Sequence, residues 1–203
     1  MNTTSRILGE AMTPYQNRIY KDPQKAVGWA IKHKQRFPEA EPYILKAAAE
    51  PYILKATDPG TAYSYAKAVL KGRWPEAEEA IAKNPIWAYH YAKDVLKRRW
   101  PEAESVIATD PKWAYEYAKH VIQGRWPEAE PVIATSPYSF GQGVGSHYFA
   151  YKYAKDVIGG RWPEAEAVIA KSPGHAEEYL STFPDAKLSW AMKGWLDWEQ
   201  AWL

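Results

Sequence analysis

Tyrosine and lysine recur four residues apart at the same place in a repeated segment of this chain. The four pairs are Tyr63 and Lys67, Tyr89 and Lys93, Tyr115 and Lys119, and Tyr151 and Lys155. Residues four apart share one flank of an α-helix, so each ring would lie beside an ammonium group. Such a stripe suits an anionic ligand with a planar ring, for example a nucleotide. The alternative is that ring and lysine stem pack across the seam between repeats while the charge stays in water, which recurrence in a repeat favours.

Arginine and glutamate form a second recurring set. Arg73, Arg99, Arg125 and Arg161 each begin the sequence Arg-Trp-Pro-Glu-Ala-Glu. The arginine would close one helix and the glutamates would open the next, where each charge interacts favourably with the helix dipole. We expect a mainly structural role, including ion pairs from the arginine of one repeat to a glutamate of the next. Functionally, the arginines would extend the Tyr–Lys stripe.

A glycine-rich insert, residues 138–148, interrupts the repetition and is a second candidate site. Its three glycines, Gly141, Gly143 and Gly145, could form an anion-holding nest beside Gln142 and His147. The flanking aromatic residues favour an ordered contact loop; they are Tyr138, Phe140 and Tyr148. A tolerated surface loop with no ligand is the alternative.

Catalytic patterns are missing from the sequence. The five histidines share neither metal-ligand spacing nor a common repeat position, and there is no cysteine. No serine-nucleophile motif or phosphate loop occurs. We therefore expect no enzyme activity, no catalytic residue, no metal and no cofactor.

The element that positions these residues is a pair of helices. Trp74, Trp100, Trp126 and Trp162 follow one another at intervals of 26, 26 and 36 residues, a period typical of stacked helical hairpins. Asn84-Pro85 predicts the start of a first helix, with Ala88, Tyr91, Ala92, Val95 and Leu96 on its buried face. Asp58, Asp110, Ser136 and Ser172 are the equivalent caps, each followed by proline.

Glycine predicts where each first helix ends. Gly72, Gly124 and Gly160 are expected to take the left-handed conformation, and Arg98 at the equivalent position predicts a strained or altered turn. The second helix begins at the proline of Trp-Pro-Glu and carries one buried isoleucine. Pro42, Pro51 and Pro131 limit such helices to about two turns.

The predicted fold is an all-α solenoid of about five to six stacked αα-hairpins in a single domain over residues 1–203. We assign residues 1–21 to an N-terminal cap, 22–57 to a divergent first repeat, 58–171 to regular repeats, and 172–203 to a C-terminal cap. Residues 40–56 contain a nine-residue internal duplication, and residues 184–203 read as one capping helix that includes Leu188, Ala191, Trp195, Trp198 and Trp202.

Composition limits the partners. The net charge is +2, aromatic residues make up 15%, and there are 11 Trp and 15 Tyr. No basic run indicates sequence-specific nucleic-acid binding. No stretch is apolar enough for a signal peptide or a membrane span, so we expect a cytoplasmic protein.

The block from Trp87 to Val95, followed by Arg99 to Glu104, resembles a tandem repeat of largely uncharacterised proteins from bacteriophages and large DNA viruses. The resemblance is close over residues 58–171 and looser over 22–57. It implies a helical repeat of viral origin in the host cytoplasm and brings no reaction or cofactor with it. The first functional hypothesis is therefore a protein that binds a host partner protein and inhibits an antiviral defence. The alternatives are a sequestering protein for a small anionic ligand such as a signalling nucleotide, and a structural or assembly component of the virus.

Overall fold

The computed structural model describes residues 12–49, 59–135, 145–186 and 188. All regular structure in these ranges is helical, and the helices pack against their neighbours in a repeated pattern. The predicted all-α solenoid is thus confirmed. The chain divides into two compact units, residues 1–81 and 82–203, each with its own buried core. The assignment of the whole chain to one domain stays a prediction.

In the first unit, α2 packs against both α3 and α4. A 3₁₀ turn over Pro38–Ala40 leads into α3, and α4 continues as a π-helix over Ala66–Leu70. The α-helices are α1 Gln16–Ile19, α2 Pro23–His33, α3 Glu41–Ala49, α4 Pro59–Tyr65, and α5 Pro75–Ala82, whose last residue lies past the boundary.

In the second unit, the first helices of successive repeats pack on one another, α6 on α8, α8 on α10, and α10 on α12. Three of them end in a π-helix, over Ala92–Leu96, Ala118–Ile122 and Ala154–Ile158. The α-helices are α6 Pro85–Tyr91, α7 Pro101–Ile107, α8 Pro111–Tyr117, α9 Glu130–Thr135, α10 Ser146–Tyr153, α11 Pro163–Ile169 and α12 Pro173–Thr182.

Small and aromatic residues alternate in the core of each repeat. Ala88, Tyr91 and Ala92 have no exposed surface, as predicted, and Trp100 is 4% exposed. The alanines allow neighbouring helices to approach closely, and the aromatic rings fill the space between them. Val95 and Leu96, which we also assigned to the buried face, are only half-buried.

Side-chain caps begin several first helices as predicted. The Asn84 side chain accepts hydrogen bonds from the backbone N–H groups of Ile86 and Trp87, and Asp110 caps α8 in the same way. Ser172 does not cap α12, because its hydroxyl lies 2.9 Å from Nδ1 of His175. Asp58 and Ser136 lie outside the described residues.

The predicted left-handed glycines are wrong by one position. Gly72, Gly124 and Gly160 do not have positive φ; the preceding residues do, namely Lys71, Gln123 and Gly159, together with Lys97. The left-handed residue lies three positions before the buried aromatic of the turn, and this also holds in α2, where Lys34 precedes Phe37 and there is no π-helix. A Cβ added at Gly124 would meet no atom within 4 Å. Arg98 therefore fits this position, and the turn at Lys97, with φ of 53°, matches that at Lys71.

Proline shortens two of the second helices. The second helices begin at the predicted proline in α5, α7 and α11. Pro131 has no N–H to donate back to Pro127, so residues 127–129 form a turn and α9 begins only at Glu130. Pro42 has the same effect before α3, where the 3₁₀ turn over Pro38–Ala40 replaces the first helical turn.

The predicted C-terminal cap helix does not begin at residue 184, since residues 184 and 185 form a turn. Leu188 packs beside the core residues Ala170 and Ala176. The rest of the predicted cap lies outside the described residues, as do residues 1–11 and the second copy of the duplication in residues 40–56.

Candidate functional site

Each predicted tyrosine–lysine pair is joined by a hydrogen bond. The Nζ atom lies 3.0 Å from the tyrosine hydroxyl in the first three pairs and 3.2 Å in the fourth. Each ammonium also lies 5.4–5.5 Å from the centre of the ring, within cation–π range. The pairs are Tyr63 and Lys67, Tyr89 and Lys93, Tyr115 and Lys119, and Tyr151 and Lys155.

The rings of these pairs are buried rather than displayed. Tyr63 is 8% exposed, Tyr89 2%, and Tyr115 and Tyr151 3% each. The ring of Tyr89 packs 5.5 Å from that of Trp113 in the next repeat, and Tyr115 packs 6.3 Å from Phe149. The stripe therefore presents ammonium groups at the edge of a packed seam and offers no open aromatic face. Its role in binding stays a prediction.

Asp156 ties two repeats of the second unit together. Its Oδ2 atom accepts hydrogen bonds from the Tyr115 hydroxyl, from Lys119 Nζ at 2.8 Å and from Lys152 Nζ at 3.2 Å. Partial burial alone would raise the pKa of Asp156, but these donors outweigh it and lower the pKa to about 2. The pKa of Lys119 is raised, chiefly by its hydrogen bond to Asp156. The charged carboxylate of Asp156 therefore links α8 to α10.

The recurring arginines pair within their own repeat, which corrects the expected bridge to the next one. Each guanidinium binds a carboxylate five residues later through two hydrogen bonds of 2.7–3.1 Å. Trp-Pro or Phe-Pro turns the chain back between the two, so that a planar fork meets a carboxylate face to face. The pairs are Arg36 and Glu41, Arg73 and Glu78, Arg99 and Glu104, Arg125 and Glu130, and Arg161 and Glu166.

A tyrosine from the following repeat completes this arrangement. The Tyr117 hydroxyl accepts a hydrogen bond of 2.7 Å from the backbone N–H of Trp100 and donates one of 3.0 Å to Glu104. We call this set of Arg99, Glu104, Trp100 N–H and Tyr117 the repeat clasp. Equivalent clasps close with Tyr65 on Phe37 and Glu41, Tyr153 on Trp126 and Glu130, and Tyr179 on Trp162 and Glu166.

The contacts of the clasp shift the pKa values of its own members. The hydrogen bond from Arg99 lowers the pKa of Glu104, against an opposing effect of burial and with further help from Tyr117. Glu130 is affected in the same way by Arg125 and Tyr153. Burial raises the pKa of Tyr117, and Glu104 raises it further. Tyr117 is therefore a neutral hydroxyl held between a donor and an acceptor, not an activated nucleophile.

The described end of the glycine-rich insert packs on α12. His147 lies with its ring 5.0 Å from His175, and the Tyr148 ring is 5.4 Å from the same histidine. Burial and the neighbouring His175 lower the pKa of His147. A Cβ on Gly145 would come within 2.6 Å of the His147 ring, so that glycine has a packing reason. Tyr138, Phe140 and Gln142 lie outside the described residues.

One partly exposed position of the first helix changes from repeat to repeat. His90, Glu116 and Lys152 occupy it in the second unit, each two residues before the alanine that begins the π-helix, and each is half-buried. We call these three residues the variable row. Each member also contacts its surroundings. The ring of His90 lies 5.5 Å from that of Trp113 in the next repeat, Glu116 lies 3.5 Å from the Tyr89 hydroxyl in the preceding repeat, and Lys152 pairs with Asp156 at 3.2 Å. Their chemistry runs from imidazole to carboxylate to ammonium.

Within the part of the chain that the structure describes, no three His, Cys, Asp or Glu side chains gather into a group that could hold a metal ion. The absence of catalysis stays a prediction. No helix of the described ranges has the length and apolar character needed to span a bilayer.

No family model, curated protein or solved structure matches the chain. The function is therefore inferred from the geometry and the repeat sequence.

Proposed function

We propose that the chain is a non-catalytic scaffold that binds a partner protein through the variable row and the insert of residues 138–148. The supporting observation is that the polar residues fall into two groups, those that recur in each repeat and those that change. The repeated ones, arginine, glutamate, tyrosine and lysine, bond to one another within and between repeats. In the variable row, by contrast, the side-chain chemistry changes from repeat to repeat while each residue keeps part of its surface in water. A protein with an irregular surface is complemented by such a row, whereas a repetitive ligand needs the same group presented each time.

The resemblance to viral tandem repeats directs the choice of partner. It favours a host protein, in particular one that acts in antiviral defence, as the target, and the host cytoplasm as the location of the complex. A role as a structural or assembly component of the virus is the alternative that detection of the chain in purified particles would favour.

A small anionic ligand bound along the Tyr–Lys stripe is less well supported. The four arginines that would extend the stripe each hold a carboxylate by two hydrogen bonds. In the second unit, the rings of Tyr89, Tyr115 and Tyr151 lie against aromatic rings of the next repeat. A ligand there would have to displace contacts that join the repeats.

The test pairs one surface change with a matched control. The tagged chain captures partners from host lysate, and each captured protein is then purified and titrated against the chain by calorimetry. Glu116→Lys, in the variable row, is expected to weaken that binary affinity at least tenfold. Glu102→Lys makes the same charge change at an exposed repeated position on α7 and is expected to leave the affinity within twofold.

The experiment distinguishes an error in the assigned surface from the absence of partner binding. Equal effects of the two substitutions would overturn the assignment to the variable row. Failure of every captured protein to form a saturable binary complex would overturn partner binding itself. Far-UV circular dichroism of both variants establishes that the fold is unchanged.

A further inference from the structure

The first unit contains a cleft that the Tyr–Lys stripe does not include. It lies between the start of α1 and the outer face of α2 and has a volume of about 630 Å³. Ligand sites of this size accommodate a molecule as large as a nucleotide. The residues that matter for its chemistry are Tyr15, Lys25, Gly28, Trp29, Lys32 and His33, and we call it the α1–α2 cleft.

The chain around the α1–α2 cleft is strongly basic. Residues 15–34 contain five lysines and arginines and a single acidic residue, Asp22, although the whole chain has a net charge of only +2. Lys25 forms an ion pair of 2.9 Å with Asp22, and both side chains are largely open to water. Exposed pairs of this kind exchange readily with a competing anion. Lys32 and His33 are exposed on the same helix. This local charge is suited to a phosphate group.

Aromatic surface is available here, in contrast to the stripe. Tyr15 is 50% exposed, the highest value for a large hydrophobic side chain in the described residues. Trp29 is half-buried and stacks on His33 with ring centres 4.5 Å apart and an interplanar angle of 22°. Nδ1 of His33 lies 2.8 Å from the Trp29 carbonyl oxygen, which fixes the imidazole against the indole. A planar base has a ring to stack on at Tyr15.

Gly28 supports a ligand in the α1–α2 cleft independently of the local charge and of the aromatic rings. It lies in the middle of the 11-residue helix α2, where glycine is less stable than alanine. No neighbour requires its small size, because a Cβ there would meet nothing within 4 Å. The residue is exposed and lines the cleft. A helix-interior glycine without a packing reason is expected where a ligand must approach the backbone closely.

We propose that the α1–α2 cleft binds a nucleotide, with its phosphates at Lys25, Lys32 and His33, its base on Tyr15, and its body against the backbone at Gly28. This site goes beyond the partner-binding function and lies on different residues. The two are therefore tested separately.

The experiment measures binding of ADP to the full chain by isothermal titration calorimetry. Adenosine, which lacks phosphate, and pyrophosphate, which lacks a base, are the ligand controls, and each is expected to bind at least tenfold more weakly than ADP. Gly28→Leu places a side chain in the cleft and is expected to weaken ADP binding at least tenfold. Because the position is open, the thermal midpoint should stay unchanged or rise.

Matched variants isolate the cleft. Gly174→Leu is the control for Gly28→Leu, since a Cβ at Gly174 also meets nothing within 4 Å and the residue lies on α12. It should leave ADP affinity within twofold. Lys32→Gln should weaken ADP binding and reduce its dependence on salt, whereas Lys46→Gln on α3 should do neither.

Three results would overturn the proposal. One is no binding of ADP to the unaltered chain at millimolar concentration. Another is equal binding of pyrophosphate and ADP, which would remove the base from the recognition. The last is undiminished ADP affinity in Gly28→Leu.

Discussion

The repeat clasp makes a sharp prediction for the substitution Tyr117→Phe. The phenylalanine ring keeps the packing of Tyr117 against Trp126, where the ring centres are 5.1 Å apart. Only the hydroxyl is removed. The buried N–H of Trp100 then loses its acceptor at 2.7 Å, and Glu104 loses a donor at 3.0 Å.

The expected magnitude follows from the cost of an unsatisfied group. A buried donor left without a partner costs about 1–3 kcal/mol. Loss of the bond to the charged Glu104 adds to this, while Arg99 still holds the carboxylate. We expect the free energy of unfolding to fall by about 2–3 kcal/mol. For a chain of this size, that lowers the thermal midpoint by roughly 4–12 °C.

The assay is urea unfolding followed by far-UV circular dichroism, with amide hydrogen exchange at Trp100 as the local readout. Tyr43→Phe is the control, because the Tyr43 ring is half-buried and lies edge-on to Tyr20. It should change stability by less than about 0.5 kcal/mol. Exchange of the Trp100 amide should accelerate in Tyr117→Phe only.

The pH dependence adds a second check on the same substitution. Arg99 and Tyr117 hold the pKa of Glu104 below that of the unfolded chain. Their contribution to stability is therefore present above the unfolded pKa and is lost as the pH falls through the folded pKa. The stability difference between the unaltered chain and Tyr117→Phe should shrink between about pH 5 and pH 3. A difference below 0.5 kcal/mol at pH 7, equal to that of the control, would refute the reasoning.

Two further predictions follow from the same structure. Asp156→Asn should lower the free energy of unfolding by about 2 kcal/mol at pH 7, because the folded pKa is about 2 against an ordinary 3.8. That loss should disappear as the pH falls from about 4 towards 2, which urea unfolding at pH 7 and pH 2.5 measures. Lys97→Gly should raise stability by about 0.5–1 kcal/mol, since Lys97 has φ of 53°, whereas Arg98→Gly should give no gain. Thermal melts measure both variants. If Arg98→Gly stabilised the chain and Lys97→Gly did not, the assignment of the left-handed conformation to Lys97 would be wrong.

The repeat period and the helix-capping residues made the helix pairs predictable from the sequence. The burial of the tyrosines of the Tyr–Lys stripe could not be predicted in the same way. A wheel with one buried face places Tyr89 on a flank. In a stack, however, α8 lies between α6, α9 and α10, so the buried arc of each first helix is wider than one face. Tyr115 is consequently 3% exposed although it lies outside the predicted face.

The sequence contains an indication of the π-helix in the spacing between the core alanine and the aromatic residue of the turn. The alanine that ends the core face precedes the buried aromatic of the turn by seven residues in α2, from Ala30 to Phe37. The spacing is eight in the later repeats, as from Ala92 to Trp100. One inserted residue is what a π-bulge adds to an α-helix. In α2, where the extra residue is missing, the helix remains α to its end at His33.

The repeat clasp had only a partial signal. Recurrence of Arg, Glu and Tyr was visible, yet the partner of the tyrosine is a backbone N–H 17 residues earlier in the chain, at Trp100. A backbone donor has no residue type, so no pattern of side chains indicates it. Equally, helical spacing placed Lys67 four residues from Tyr63 but carried no information on whether the ring would be exposed.

Both proposals depend on one position of the repeat. Gly28 lies two residues before Ala30, as Glu116 lies two residues before Ala118. Neighbouring positions in each repeat are fixed by alanines that allow close approach and by tyrosines that close a clasp. Glu116 keeps part of its surface in water and a Cβ at Gly28 would meet no atom within 4 Å, so the stack can vary this position with little loss of stability. Residue identity there is free to follow a ligand or a partner, and substitutions at Gly28 and Glu116 should alter binding while leaving the fold intact.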